Sequence, residues 1–472
     1  MIARIGLLIS ATIGRWIPEP FILALGLTVV TALLALFFGF PPVTDPATGS
    51  LVAVPRIDAA DKLLETWWNP GLWKFLGFSM QMSLILVTGF AIAQSRPVRI
   101  MINWISSLPR STAGGAAMVA VVAMATALLN WGLGLIVGAL LAYETAKSLD
   151  RRGIRAHYPL ICAAGYTGLL VWHGGLSGTA PTKMSQTKEA ADILPESVMA
   201  NLEVSAIPLQ ETLFSGLNMF VSLGLLAVVP ITLFLLAPRS ADQIRTAREL
   251  DVNDADSGDT DATDVEPSSV IAIVINILVA VALLTGMVLY LSDPDRGFGS
   301  ISPNEINATM LGIGMLLHVS PISYLRAVES AVRGCAGIII QFPLYAGIMV
   351  MMSVSGLMKM VSDFAAEHAG PNTLPLLTFL SAGVVNFFVP SGGGQWGVQG
   401  PIALEAGAAA GIAPSEMIMS VAYGDQLTNM LQPFWALPLL AITGIKARDI
   451  VGYTAIVMVV AGAWMALGLW VF

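Results

Sequence analysis

The chain has 472 residues, of which 56% are hydrophobic and 11% charged, and its mean hydropathy is +0.76. Soluble domains carry about 25% charged residues, so this composition excludes an ordinary soluble fold and predicts an all-α, polytopic integral membrane protein. The formal net charge of −8 says little about partners, because nine acids fall between Arg239 and Glu266. That stretch reads as a solvated linker, an acidic docking tail being the alternative.

In chain order, MIARIGLLISATIGRW is expected not to be a cleavable leader, since the full span Phe21–Phe40 follows it without a small-residue cleavage site. Arg4 and Arg15 place the N-terminus inside. The next loop carries Trp67, Trp68 and Trp73, residues suited to the water–lipid boundary. A span near Leu72–Gln94 leads to RPVRIMINWISSLPR, a basic loop without acids. The apolar stretch 111–146 ends in a second basic loop, KSLDRRGIR. Both flanks ask for the same side of the membrane, and 36 residues fall short of the roughly 40 that two crossings need. The reading is a re-entrant hairpin turning at LNWGLG, with two full spans as the alternative.

A broken span over 158–181 and the span Leu213–Leu236 follow, then the linker, then Val270–Leu291, Asn304–Val319 and Gly334–Val354. A second hairpin is expected over 371–412 and a second broken span over 417–443, before the closing span Ile450–Phe472. The total is about nine spans plus two opposed hairpins, with the C-terminus outside. Cys162 and Cys335 read as small buried hydrophobes.

The halves 1–236 and 269–472, joined by 237–268, share a pattern. Gln81 and Gln341 each sit in a span; Asn130 and Asn386 follow them by 49 and 45 positions; Tyr166 and Tyr423 follow by 36 and 37; Pro181 and Pro438 follow by 15 each. The charge count gives the two hairpins opposite entry sides. Paired interrupted segments in inverted halves point to the midplane site of a secondary transporter; chance alignment of common residues is the alternative.

Non-helical backbone survives at membrane depth only inside protein or around water. The run NFFVPSGGGQWGVQGP therefore suggests a built site. Amides at Ser391, Gly392, Gly393 and Gly394, with Gln395 beyond, are placed to receive a carboxylate at a helix start. Asn130, Trp131 and Gly132 would do the same from the first hairpin. Ser177, Asn386, Asn429 and Gln432 complete the expected substrate contacts. Asp425, an acid inside a span, is the expected ion carrier, joined by His173 and Thr179. Its alternative is a structural acid paired to a buried donor; that of His173 is a capping role. Gln81, Gln341, Pro181 and Pro438 are read as structural supports at the breaks. No phosphate loop, HExxH or cysteine metal spacing is present in the sequence, so neither enzyme chemistry nor a cofactor is expected, and no nucleic-acid partner.

GFSMQMSLILVTG, NWGLGLIVGA, VWHGGLSGTAP, QFPLYAGI, NFFVPSGGGQWGVQGP and AYGDQLTNMLQPFWALP resemble the blocks of the short-chain fatty acid transporter family, which includes acetoacetate and butyrate uptake proteins. The resemblance runs nearly end to end. It implies uptake of short-chain monocarboxylates coupled to H⁺ or Na⁺, in a bacterial cytoplasmic membrane. It also implies the wider superfamily's scaffold, mobile domain, elevator-type movement and homodimer. The superfamily's Ser-Asn-Thr hairpin tips are here Leu-Asn-Trp at 129–131 and Val-Asn-Phe at 385–387, so only the Asn matches and the Na⁺ ligands do not carry over. The alternatives are a dicarboxylate or amino-acid carrier of the same build, or a membrane enzyme or receptor using His173 and Asp425.

Overall fold

The computed structural model describes residues 12, 18–44, 51–187, 190, 206–250, 252, 269–293, 302–370 and 372–472. Most of the acidic linker, much of the segment 183–211 and nearly all of the N-terminal stretch lie outside them. The regular elements among the described residues are helices apart from one two-residue antiparallel pair, Val43–Thr44 with Leu51–Val52.

The helices fall into two groups by packing. The first, a frame, contains α1 (Pro20–Phe38), α2 (Arg56–Trp68), α3 (Leu76–Gln94), α10 (Val270–Ser292), α11 (Pro303–His318), α12 (Pro321–Val332) and α13 (Ala336–Val354). The second is built from α5 (Thr112–Leu129) and α6 (Trp131–Arg151), α7 (Tyr158–Tyr166) and α8 (Thr179–Met184), and α9 (Gly216–Leu236). It continues with α15 (Leu374–Phe388) and α16 (Gly392–Ala410), α17 (Pro414–Thr428) and α18 (Pro433–Thr443), and α19 (Ala447–Val471). Two amphipathic helices, α4 (Arg96–Ser107) and α14 (Leu357–Glu367), lead from the frame into each hairpin. The span α10 turns mostly outward, and Val270, Ile271, Leu278 and Leu289 are among its exposed side chains. Apolar surface of that extent suits lipid.

The two halves repeat in order: a 19-residue helix, an amphipathic helix, a hairpin, a broken helix and a long closing helix. Gln81 and Gln341 both occupy the sixth position of their 19-residue helices. The broken helices run antiparallel. The Tyr158 hydroxyl at the start of α7 donates to the Thr443 carbonyl at the end of α18, at 2.6 Å. Tyr166, at the end of α7, donates to the carbonyls of Asn429 and Gln432 just before α18, at 2.8 Å each.

The first hairpin differs from its sequence reading in extent. Its arms have 18 and 21 residues and the second ends at Arg151, not near 146. At 1.5 Å per residue they span about 27 and 31 Å, so length alone no longer argues for re-entry. RPVRIMINWISSLPR, read as a loop, is mostly the helix α4, which turns Ile102 and Ser106 inward and leaves its arginines outward.

Close approach makes the first hairpin and first broken helix one body. A Cβ built on Gly138 of α6 would stand 2.1 Å from the Gly165 carbonyl oxygen, and one on Gly165 would stand 2.5 Å from that of Gly138. Small residues at such crossings let backbones touch.

A strap after α9 closes one end of this body. The Arg245 amide donates to His157 Nδ1 at 3.0 Å, and the Arg245 carbonyl accepts from the Tyr158 amide at 2.9 Å. Arg245 also pairs with Asp449, Arg248 with Asp150 at 2.8 Å, and Arg155 with Glu249 at 2.7 Å. With Nδ1 accepting, His157 Nε2 carries the hydrogen and donates to Tyr453 at 2.8 Å. Burial, and secondarily the Arg245 charge, push His157 from 6.5 down to about 3. The folded strap thus prefers neutral imidazole. Its contribution is complete above the unfolded value of about 6.5 and is lost as pH falls toward 3. Limited proteolysis across 239–252 should accelerate over that window in the wild type. In His157→Gln the acceleration should be largely absent.

Candidate functional site

The two breaks have identifiable causes. A residue before proline is pushed out of the helical region. Gln432, ahead of Pro433, adopts φ −86° and ψ 117°, and α17 ends in a 3₁₀ turn at Asn429–Leu431. The first break is a run of 3₁₀ turns at Thr167–Leu170 and Trp172–Gly174, followed by an extended Gly175. Proline also sets the second hairpin's turn: α15 stops at Phe388, and Val389, at φ −122° and ψ 79°, has left the helical region ahead of Pro390.

Asn386 consequently lies in the last turn of α15, not at the tip, which is Val389–Ser391. Its Nδ2 donates to the Asp425 carbonyl at 2.6 Å, to Asn429 Oδ1 at 2.9 Å and to Thr428 Oγ1 at 3.0 Å. Gln432 Nε2 donates to the Asn386 carbonyl. Asn386, Asn429 and Gln432 are thus brought together where the broken helices cross. Each keeps one buried side-chain atom without a protein partner among the described residues: Asn386 Oδ1, Asn429 Nδ2 and Gln432 Oε1.

Asp425 and His173 meet beside them. Asp425 is 2% exposed and His173 fully buried; Asp425 Oδ1 lies 3.4 Å from His173 Nδ1, while Oδ2 has no partner among the described residues. The Ala180 amide, in the first turn of α8, donates to His173 Nε2 at 3.0 Å. That acceptor role puts the ring hydrogen on Nδ1, facing Asp425. Gln426 Oε1 receives the His173 amide at 3.1 Å. Asn218 fills all its capacity, donating to the carbonyls of Gly174 and Leu213 and accepting from Ser222 and Tyr423.

The glycine run is the first turn of α16. Ser391 caps it by accepting from the Gly394 amide at 3.1 Å. Gly392 is buried against the first break; a Cβ there would stand 2.9 Å from the Trp172 ring, 3.2 Å from Thr179 Oγ1 and 3.3 Å from His173 Cε1. Gly393 follows it toward Thr179, whereas Gly394 faces Met349 of the frame. Gln395 turns inside the hairpin, donating to the Ala382 carbonyl and to Gln399 Oε1 at 2.9 Å each. It pins the arms together, while its own Oε1 has no partner among the described residues.

The first hairpin's tip is closed differently. Asn130 Oδ1 accepts from the amides of Gly132 and Leu133 at 2.9 and 3.1 Å, and Ser177 Oγ accepts from the Trp131 amide at 3.0 Å. The first-turn amides at Trp131 and Gly132, expected to grip a carboxylate, are therefore already taken. What remains free of the caps is Asn130 Nδ2 and the Ser177 hydroxyl hydrogen. Both residues line a half-open cavity of about 230 Å³. Leu129, Leu133 and Leu176 complete the hairpin side, and Met287, Ile306, Thr309, Met310 and Ile313 form the frame side. None of these is cationic. The Trp131 ring packs edge-on against Trp435, with centroids 5.3 Å apart.

Other expected residues lie elsewhere. Gln81 Nε2 donates to Asn304 Oδ1 at 2.8 Å within the frame, and Gln341 is buried in α13. Neither supports a break. Pro181 and Pro438 lie inside α8 and α18, just beyond the breaks. Sequence reading used Tyr166 only as a spacing marker and did not single out Gln426 or Thr428. An unpaired amide is costly inside a span, and that cost was the available signal. Among the described residues, no group of three or more His, Cys, Asp or Glu side chains could hold a metal ion.

Broken helices locked by hairpins, with amides, hydroxyls and one acid gathered at the crossing, are the build of a polytopic membrane transporter. The family model "Short chain fatty acid transporter" matches residues 1–472, and the chain belongs to that family. The Escherichia coli (strain K12) protein named "Putative short-chain fatty acid transporter" is 36% identical over 474 residues, covering 100% of both chains. A protein of the same name from Haemophilus influenzae (strain ATCC 51907 / DSM 11121 / KW20 / Rd) is 35% identical over 482 residues, also covering 100% of each. Among solved structures, the Alcanivorax borkumensis YdaH transporter superposes with a TM-score of 0.45 at 17% identity, over 96% of this chain and 98% of that one.

The crossing should be a structural keystone. Asn386→Ala strands buried acceptors, at a cost of about 1–3 kcal/mol for each group left unpaired. The unfolding midpoint in detergent should drop clearly below that of Asn130→Ala, which loses a cap worth about 0.5–2 kcal/mol. Equal midpoints would show the crossing to be no more structural than the cap.

Proposed function

We propose that the protein moves short aliphatic monocarboxylates across the cytoplasmic membrane, with a proton as the coupling ion. The observation that carries this reading is the cavity at the first hairpin's tip. An apolar cavity of about 150 Å³ admits benzene, so about 230 Å³ suits an acid of roughly six to nine non-hydrogen atoms. Butyrate, acetoacetate and hexanoate are of that size. Ser177 and Asn130 offer donors at one end, and the opposite walls are apolar apart from Thr309. No lining residue is arginine, the side chain that would clamp a carboxylate in two places. A weakly held monoanion fits such a site better than a dicarboxylate.

Asp425 is the proton carrier in this reading. An ionised carboxylate so deep is costly without full pairing, and one of its oxygens has no partner among the described residues. His173 already accepts at Nε2 from Ala180, so a second ring proton would break that bond. The exchangeable proton therefore belongs on Asp425. The break joins it to the substrate: His173 faces Asp425, and four residues on, Ser177 holds the first hairpin's tip. Leu176 reinforces that hold, its amide donating to the Leu128 carbonyl at 2.8 Å. The moving part in an elevator-type cycle would be the hairpin group, sliding against the frame. Sodium is the second reading, favoured by the unpartnered oxygens Asn386 Oδ1, Gln432 Oε1 and Asp425 Oδ2.

Labelled butyrate uptake into proteoliposomes tests both parts. We expect saturable uptake driven by an imposed pH gradient and indifferent to a sodium gradient. Asp425→Asn should lose accumulation yet keep exchange of labelled for unlabelled butyrate. Accumulation driven by sodium at zero pH difference would transfer the coupling role to that ion. No saturable uptake of any acid from acetate to hexanoate would overturn the substrate reading.

A further inference from the structure

We propose that the frame helices α10 and α11 set the longest acid the protein accepts, with Met310 as the stop for the tail and Met287 as its softer neighbour. The proposal rests on the cavity being the substrate site. It adds the residues that decide chain length, none of which was distinguishable in the sequence.

The cavity is divided by polarity along the boundary between the two helix groups. Its free donors, Ser177 Oγ–H and Asn130 Nδ2–H, sit on the hairpin side. On the frame side Thr309 is the single polar residue, and its hydroxyl donates to the Glu305 carbonyl of its own helix at 2.7 Å. That hydrogen is spoken for, so the frame side has no free donor for a carboxylate. An amphiphilic acid then has one sensible orientation, head to the hairpin tip and tail toward α10 and α11. The chain end meets frame side chains.

Among these, Met310 is the fixed one. It is 8% exposed, and its methyl carbon lies 3.0 Å from where a Cβ on Gly89 would stand. It thus reaches from the cavity wall into the groove that Gly89 leaves on α3. Helix α11 is itself held to α3, where Asn307 Nδ2 donates to the Gln81 carbonyl at 2.9 Å. The wall cannot retreat as a unit to admit a longer chain. Met287, on the outward-turned α10, and Ile313, at 36% exposure, are less confined. Methionine is unbranched and adaptable, so the limit should be graded and not abrupt.

One methylene in a hydrophobic pocket is worth about 10- to 200-fold in discrimination. Uptake efficiency should be measured for straight-chain acids from acetate to octanoate in wild type, Met310→Ala, Met310→Phe and Met287→Ala. Met310→Ala should raise the hexanoate-to-butyrate ratio by at least about tenfold and extend the usable range by one or two carbons. Met310→Phe should lower the same ratio. Met287→Ala should move it upward by less, and keeps the test decisive if Met310 variants fail to fold. Unchanged ratios in variants that still carry butyrate would overturn the proposal while leaving the substrate reading intact. A wild type that carries none of these acids would remove the substrate reading, and the ruler with it.

Discussion

Everything in the second helix group depends on how two interrupted helices satisfy their own backbone. Stopping a helix leaves several carbonyls and amides without helical partners, and apolar surroundings offer no water to complete them. Here the groups are completed by the other half of the chain. Tyr166 serves two carbonyls of the second break, Asn386 and Gln426 serve main-chain groups near the breaks, and Asn218 holds the Gly174 carbonyl. The breaks are therefore mutual: neither could persist without side chains from elsewhere. The same economy explains why buried amide atoms gather at one place, and why an acid is tolerated there.

Two regions of different character result. At the second hairpin, the polar groups are numerous, buried and tightly linked, a setting suited to a small ion or proton. At the first hairpin, few polar groups face an apolar cavity, a setting suited to an organic tail. The 3₁₀ stretch from Thr167 to Gly174, with Ser177 just beyond it, touches both. Its turns carry poorer hydrogen bonds than an α-helix, which makes it the natural element to adjust when either region changes occupancy.

Much of this was legible in the sequence where chain punctuation acts locally. Long apolar runs marked helices, eight of which among the described residues are long and apolar enough to cross a membrane where about nine spans were expected, and Gly and Pro clusters marked where α7, α15 and α17 stop. Asn130 and Ser391 were visible as turn residues and are caps. Asn386 was misplaced because a matched asparagine was weighed above Pro390, whose effect on its neighbour sets where α15 ends. The bared-amide idea failed at the first hairpin because Asn130 and Ser177 consume those donors. The helix α4 was hidden by its arginines, although a period near 3.6 underlies them. Pairings across the halves, such as His173 with Asp425 or Tyr166 with Gln432, had no local sign. Each residue stood out as a costly polar group, and nothing near it in the chain named its partner.

The touching backbones at Gly138 and Gly165 carry a further implication. With no side chains between them, the two helices have nothing to roll over and no alternative packing to adopt. Hairpin, break and strap pack as one unit, so any movement of that unit would have to be taken up at the chain's leads into it, α4 among them. Substitutions in those leads would alter the freedom of the unit as a whole while leaving its internal contacts as they are.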